Sequence, residues 1–336
     1  MQGTDVGEVA AARPTAMRRS RADRSRALLY RYAVVLVFVA MVVFFSVLLP
    51  RTFFTTGNFQ TIVNSQAVLL LLSLALTIPL SVGEFDLSVA SMLGFGATLL
   101  AYLSGNWHWP LLGSLAAVVA VGAVVGLANG LFVVRFGVNA FIVTLGTGTV
   151  LTGLTLAVSG GQILTGVPTS VSNFSAGEGF GLVWPAFVAL GFAGALWYLY
   201  EHTPTGRYLF FVGEGREVAR LAGLPVARLR WLAFVLAAVV ASVCGIFAAG
   251  QLGSADPSVG PNYLLPAYAA AFLGATTIKP GRFNSLGTVV ALYLLVTGVT
   301  GLELAGAASW VEQVFNGSAL VIAVTFARLV SREAAE

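Results

Sequence analysis

The chain has 336 residues, of which 57% are hydrophobic and only 10% charged, against about 25% charged in soluble domains. That composition excludes a soluble globular fold, and it lacks the charge density of a disordered or nucleic-acid-binding chain. The net charge of +4 is informative through where its 18 Lys and Arg side chains fall, because positive residues favour the cytoplasmic side of a membrane protein.

A bilayer core of about 30 Å takes roughly 20 apolar residues per helix. Ten such runs are predicted, at residues 32–49, 59–80, 87–103, 109–134, 140–158, 182–200, 231–250, 264–278, 286–302 and 310–329. The third, eighth and ninth are short or interrupted by glycine, so eight to ten crossings are expected. An arginine-rich stretch from Arg13 to Arg31 precedes the first run. That run is longer than a signal-peptide core and no Ala-x-Ala site follows it, so it is read as a retained helix with a cytoplasmic N-terminus.

Counting onward, Arg135, then Arg207, Arg216, Arg220, Arg228 and Arg230, then Lys279 and Arg282, and last Arg328 and Arg332 fall inside, and only Arg51 falls outside. This bias favours an even number of crossings. The expected organisation is an all-α helix bundle of about ten spans, with a basic cytoplasmic tail at 1–31, a membrane region at 32–329 and a cytoplasmic tail at 330–336. Trp107, Trp109, Trp184 and Trp310 lie near the proposed outer boundary, where amphipathic rings prefer to sit.

Between the second and third runs, Val82-Gly83-Glu84-Phe85-Asp86-Leu87-Ser88 places two carboxylates beside apolar segments. Asp86 precedes a helix, so it is expected either to cap free backbone N–H groups or to serve a functional path, as intramembrane ionisable residues commonly do. In the fourth run Gly122, Gly126 and Gly130 form two overlapping G-x-x-x-G units. Glycine there lets helix backbones approach closely, and packing is the expected role. Asn129 beside them is costly facing lipid, so it is expected to point into the bundle, as interhelical glue or as a hydroxyl-binding group.

Two connections are long. The outer one, 159–181, is rich in Gly and Ser and reads as a solvated loop. The inner one, 201–230, holds five arginines. Within it Glu214 to Ala222 is predicted as a short helix, with Val218, Leu221 and Ala222 on one side and Arg216, Glu217 and Arg220 on another. Gly223 stops it and Pro225 prevents its resumption. It is either a solvated connector or a docking helix whose small apolar face enters a partner's groove. A second break, Ser254-Ala255-Asp256-Pro257-Ser258-Val259-Gly260, repeats the D-x-S-V pattern of Asp86 to Val89. Paired interruptions in the two halves of a chain suggest inverted repeats around a shared path, unless the echo is coincidental.

Catalytic and nucleotide signatures are missing. The single lysine, Lys279, is followed by Pro280, so there is no Walker A loop to cradle ATP phosphates. Cys244 stands alone and His108 and His202 lie far apart, so no metal site and no bound cofactor are expected. The chain has no room for a soluble catalytic domain and is not expected to be an enzyme. Energy for any work must come from another polypeptide or from an ion gradient.

Several segments together resemble the permease subunits of bacterial ATP-binding-cassette (ABC) importers for monosaccharides, the ribose and xylose permease type, along nearly the whole chain from the first helix. Gly83-Glu84-Phe85-Asp86-Leu87-Ser88-Val89 is similar to that family's G-G-I-D-L-S-V-G segment. Gly126-Leu127-Ala128-Asn129-Gly130 and Phe141-Ile142-Val143-Thr144-Leu145-Gly146-Thr147 resemble its G-x-x-N-G and F-I-V-T-L-G-T segments. Thr205-Gly206-Arg207, Val212-Gly213 and Ala219-Arg220-Leu221-Ala222-Gly223-Leu224 resemble its coupling loop, and Gly281-Arg282-Phe283-Asn284-Ser285-Leu286-Gly287-Thr288 its late glycine-rich turn. Two departures stand out: Glu84 replaces the second glycine of the first segment, and Gly213-Glu214-Gly215 replaces Gly-Gly-Asn in the coupling loop.

The resemblance implies a multi-pass protein of the bacterial cytoplasmic membrane that imports a pentose, hexose or related polyol. A periplasmic or lipid-anchored binding protein would deliver the sugar. Cytoplasmic ATPase subunits, which alone would use ATP, would drive a permease homodimer or heterodimer. Asp86, Ser88, Asn129, Phe141 and Thr144 are then expected along the substrate path, the first two with Asn129 and Thr144 facing a central cavity. Gly213, Arg216, Glu217, Val218, Ala219, Arg220, Leu221, Ala222 and Gly223 are expected at the ATPase contact. The rival readings are a gradient-driven secondary transporter relying on Asp86 and Asp256, and an ABC permease for a branched-chain amino acid or nucleoside.

Overall fold

The computed structural model describes residues 21–333, with side chains between 31 and 325. The expected tail residues 1–20 and 334–336, and the side chains of Arg328 and Arg332, lie outside the described residues. The order is α1 (Arg21–Leu48), α2 (Thr56–Ser65), α3 (Ala67–Ser81), α4 (Ser88–Gly105), α5 (Leu111–Gly130), α6 (Ala140–Ser159), α7 (Thr169–Ala176), α8 (Trp184–His202), α9 (Pro204–Glu214), α10 (Arg216–Leu221), α11 (Val226–Leu252), α12 (Val259–Gly274), α13 (Ser285–Leu304) and α14 (Trp310–Glu333). A two-stranded antiparallel hairpin, β1 (Glu178–Gly179) with β2 (Leu182–Val183), follows α7.

At the centre is α3, a nearly unbroken apolar sequence in which all fifteen residues are buried. A helix apolar on every side belongs inside a bundle. Around it, α11 packs against α3, α4, α5 and α7, and α12 against α3, α4, α13 and α14. The outward faces of α1, α5 and α6 are apolar and bare, with Val47, Val124 and Ile142 all more than half exposed. That is the surface expected of helices solvated by lipid.

Among the described residues six helices are long and apolar enough to cross a membrane, and α2 with α3, bent by 46°, makes a seventh if taken as one broken span. The all-α bundle therefore agrees with the sequence expectation, whereas two of the ten predicted runs fall short of that criterion and a third, at 310–329, extends past the described side chains. They still form helices: α8, which ends in polar residues, and α12, only 16 residues long, whereas α14 is described with its side chains only as far as Thr325.

Contacts sort the connections into two ends. At one end Arg31 of α1 exchanges hydrogen bonds with Ile278, whose φ of 60° is rare for a β-branched residue. Lys279 pairs with Glu201, Arg282 lies 3.9 Å over the Phe210 ring, and Glu84 meets Arg216 and Arg230. The arginine-rich start of the first helix and the 201–230 and 279–282 connections are the segments that the positive charges place on one side, and the Glu84 connector joins them there. At the other end Asn64 binds the Gly181 carbonyl and the Val183 N–H, and Leu164 pairs with Ala255.

Three local expectations need correction. The 159–181 connection is largely exposed but not structureless: α7 lies on α11, where Gly250 leaves room for Ser175 and a Cβ would come 2.3 Å from its hydroxyl. The eighth helix-forming run begins at Val259 rather than 264, because the Asp256 turn starts the helix directly. The expected Glu214 to Ala222 helix is two pieces. Gly215 is extended (φ −169°, ψ 98°), so Glu214 ends α9 and α10 starts at Arg216.

Candidate functional site

The Gly83 to Ser88 connector begins where α3 ends at Ser81, and Gly83 turns it with a φ of 74°. Asp86 then folds the chain into α4. Its Oδ1 accepts from the Ser88 N–H at 3.0 Å and from the Ser88 hydroxyl at 2.6 Å. This is the local side-chain-to-backbone turn that aspartate favours before a helix.

Three neighbouring helices complete the cluster. Asn129, near the end of α5, donates to the Ser88 hydroxyl at 2.9 Å and accepts from Thr147 of α6 at 2.8 Å. Thr144, also on α6, accepts from the Leu87 N–H at 3.1 Å, and Tyr268 of α12 accepts from the Asp86 N–H at 3.1 Å. Asn129 can approach because α5 runs close to α11. A Cβ at Gly126 would lie 2.5 Å from Val235 Cα, one at Gly122 2.9 Å from the Ala238 carbonyl, and one at Gly130 3.2 Å from the Trp231 ring. Just beyond Asn129 the helix widens into a π-helical turn, Leu131–Arg135, a feature that often sits at functional sites.

Asp86, Ser88, Asn129 and Thr144 are fully buried and turn inward rather than to lipid: Asp86, Ser88 and Asn129 bond to one another, and Thr144 holds the connector through the Leu87 N–H. One atom escapes this pairing, for Asp86 Oδ2 is buried without a hydrogen-bond partner. Phe141 stands apart, half exposed on α6, its N–H bonded to the Asn139 cap. The Asp256 break repeats the local geometry, with Oδ1 accepting from the Ser258 N–H at 2.8 Å and hydroxyl at 2.7 Å. Those bonds hold the more open Asp256 carboxyl below the usual carboxylate range. The two helices that start at these breaks cross where Gly94 meets Gly260.

The second part of the site is the basic end. α9 packs against α3 so tightly that a Cβ at Gly213 would lie 2.3 Å from the Ser81 carbonyl. On α10, Val218 is 60% and Leu221 84% exposed, and Ala222 is exposed beside them. Glu217 and Arg220 form an exposed pair at 2.6 Å, and Gly223 ends the turn at φ 80°. Ala219 is fully buried against the chain's own core and leaves the exposed apolar face to Val218, Leu221 and Ala222. Arg216 is likewise not a loose rim charge: it reaches the Glu84 carboxylate at 2.8 Å and the Gly83 carbonyl at 3.0 Å. Arg230, at the start of α11, meets the same Glu84 oxygen at 2.5 Å. Sequence alone marks Glu84 as one of two carboxylates beside apolar segments and as a departure from the family pattern, but not as this hub. The available signal was an acid at the end of an apolar run in a chain whose arginines cluster in one connecting loop.

A bundle with apolar outer faces, a buried polar break and a bare apolar helix at its basic end has the build of a polytopic membrane transport subunit. The family described as the permease component of branched-chain amino acid transport systems matches residues 58–324, and this chain belongs to that family. It is 30% identical to the ribose import permease protein of Escherichia coli K12 over 293 residues, 86% of this chain and 90% of that one. It is 28% identical to the D-allose transport system permease protein of the same strain over 302 residues, 90% and 93% of the two chains. It is also 30% identical to the autoinducer 2 import system permease protein of Photorhabdus laumondii over 260 residues, 76% and 78% of the two. No solved structure matches the chain. Permeases of this family are transport components and not enzymes.

Proposed function

We propose that this chain is the membrane subunit of an ABC importer and carries a monosaccharide across the bacterial cytoplasmic membrane. The relatives named for ribose and D-allose support the substrate class. The observation that carries the mechanism is the bare apolar face of α10, Val218 with Leu221 and Ala222, on a short helix fixed by buried contacts at its other face. An unpartnered apolar face on a rigid mount is what a docking helix needs.

The basic end is cytoplasmic on the positive-inside rule, and α1, the α2–α3 pair, α4, α5, α6, α8, α11, α12, α13 and α14 make ten crossings with both termini inside. A cytoplasmic ATPase subunit grips the segment from Gly213 to Gly223 and alone uses ATP. A periplasmic or lipid-anchored binding protein delivers the sugar to the opposite end. Two permease copies, identical or related, enclose the path.

Asp86, Ser88, Asn129 and Thr144 form the polar inner end of that path, with Phe141 at its rim. When the connector opens, Asp86 Oδ2 becomes an acceptor for a sugar hydroxyl, and Asn129 can exchange Ser88 for the same ligand. With so few polar groups the site binds weakly, which lets an importer release its cargo.

Leu221→Glu tests the docking reading, because it forces a charge into the partner's groove where desolvation is uncompensated. ATPase binding is expected to weaken by about thirtyfold, the loss of one ~2 kcal/mol interface anchor, with uptake falling in step and the chain still inserted. Full uptake by that variant would remove α10 from the contact.

A further inference from the structure

The Glu84 carboxylate is an anomaly in an apolar bundle. Its side chain is 4% exposed, and a buried charge persists only when paired. Both partners come from the cytoplasmic loop: Arg216 begins α10 and Arg230 lies in the first turns of α11, and both guanidinium groups converge on the same oxygen, Oε1. Arg216 also holds the Gly83 carbonyl, so it grips the connector by backbone as well as by side chain. Two residues on, Asp86 organises the polar cluster, while Phe85 between them stacks on Tyr268 and Phe272 with ring centres 6.2 and 6.1 Å apart.

We infer that Glu84 is a positioning residue that transmits movement of the docking helix to the path: its carboxylate ties α10 and α11 to the connector carrying Asp86 and Ser88. If α10 moves with its partner, Arg216 and Arg230 either carry Glu84 along or leave it buried with a partner lost, and the second alternative is the costly one. The connector therefore follows, and the Ser88 contact with Asn129 is the first bond in the path to feel it. The second break has no such tie, since Ser254 stands two residues before Asp256. Only one of the two breaks is linked to the basic end by charge.

The inference rests on the proposed ABC reading and makes a separate prediction. The chain is reconstituted with its ATPase and binding protein, and the ratio of substrate-stimulated to basal ATP hydrolysis is measured beside uptake. Glu84→Gln keeps the side-chain volume and removes the charge. It is expected to lower the stimulation ratio about tenfold, within the usual range of coupling energies between sites, while the assembled complex keeps its basal hydrolysis. Glu84→Asp, which retains the charge, restores most of the ratio. Glu201→Gln, which breaks the ion pair with Lys279 outside the connector, leaves it unchanged.

If Glu84→Gln fails to insert, Arg230→Gln provides the test from the α11 side of the pair, outside the docking segment, and it too must lower the ratio. A wild-type complex that transports while the charge-removing variant keeps full stimulation overturns the inference alone. A wild-type complex with no ATP-driven uptake overturns the functional reading and the inference with it.

Discussion

The Asp86 and Asp256 breaks share four residues of pattern and one hydrogen-bond scheme, an aspartate oxygen bound by the N–H and hydroxyl of the serine two places on. Their surroundings differ. Asp86 is fully buried and touched by α5, α6 and α12 through Ser88, Leu87 and its own N–H, whereas Ser258 is exposed and Asp256 keeps access to water. Four residues are enough to specify a helix-starting turn. Whether the turn also becomes a site depends on which other helices reach it.

Removing each aspartate should separate these two roles. Asp86→Ala removes the acceptor of both the Ser88 N–H and the Ser88 hydroxyl proton, leaving the hydroxyl oxygen only its bond from Asn129, and each buried donor left unpaired costs about 1–3 kcal/mol. Thermal unfolding in detergent should show a loss near 3 kcal/mol, with uptake falling to background. Asp256→Ala loses only a partly hydrated cap, about 1 kcal/mol or less, and should retain uptake. Equal effects would mean that the two breaks are equivalent.

A smaller effect should come from the helix contact that brings Asn129 to Ser88. Gly126→Ala forces a Cβ against the α11 backbone, where nothing flexible can yield, and overpacking of that kind costs about 1–3 kcal/mol. Gly153→Ala on α6 meets open space and should stay within about 0.5 kcal/mol of the parent. Stability measurements on the pair show whether the cluster depends on the α5–α11 approach. Smallest of all, Tyr268→Phe deprives the Asp86 N–H of its acceptor and should cost about 1 kcal/mol.

The helices and glycine contacts were largely readable from sequence because hydrocarbon imposes simple rules: apolar runs of spanning length, and small residues where backbones meet. Gly126 and Asn129 followed directly from those rules. Features decided by distant contacts were not readable. The burial of Ala219, the α7 covering over α11, and the double pairing of Glu84 with Arg216 and Arg230 depend on segments more than a hundred residues apart in some cases, which no local pattern reports. The Gly215 break was hidden for another reason: glycine tolerates both helical and extended backbone, so the sequence does not say which one it adopts.

The central claim is that this chain moves its cargo only when a separate ATPase drives it. Proteoliposomes containing the chain, with or without that ATPase and a loaded binding protein, measure this directly. ATP-dependent, concentrative uptake is expected with the ATPase, and none without it, even under an imposed proton or sodium gradient. Accumulation driven by such a gradient through the chain alone would contradict the account and assign Asp86 and Asp256 to a secondary transporter.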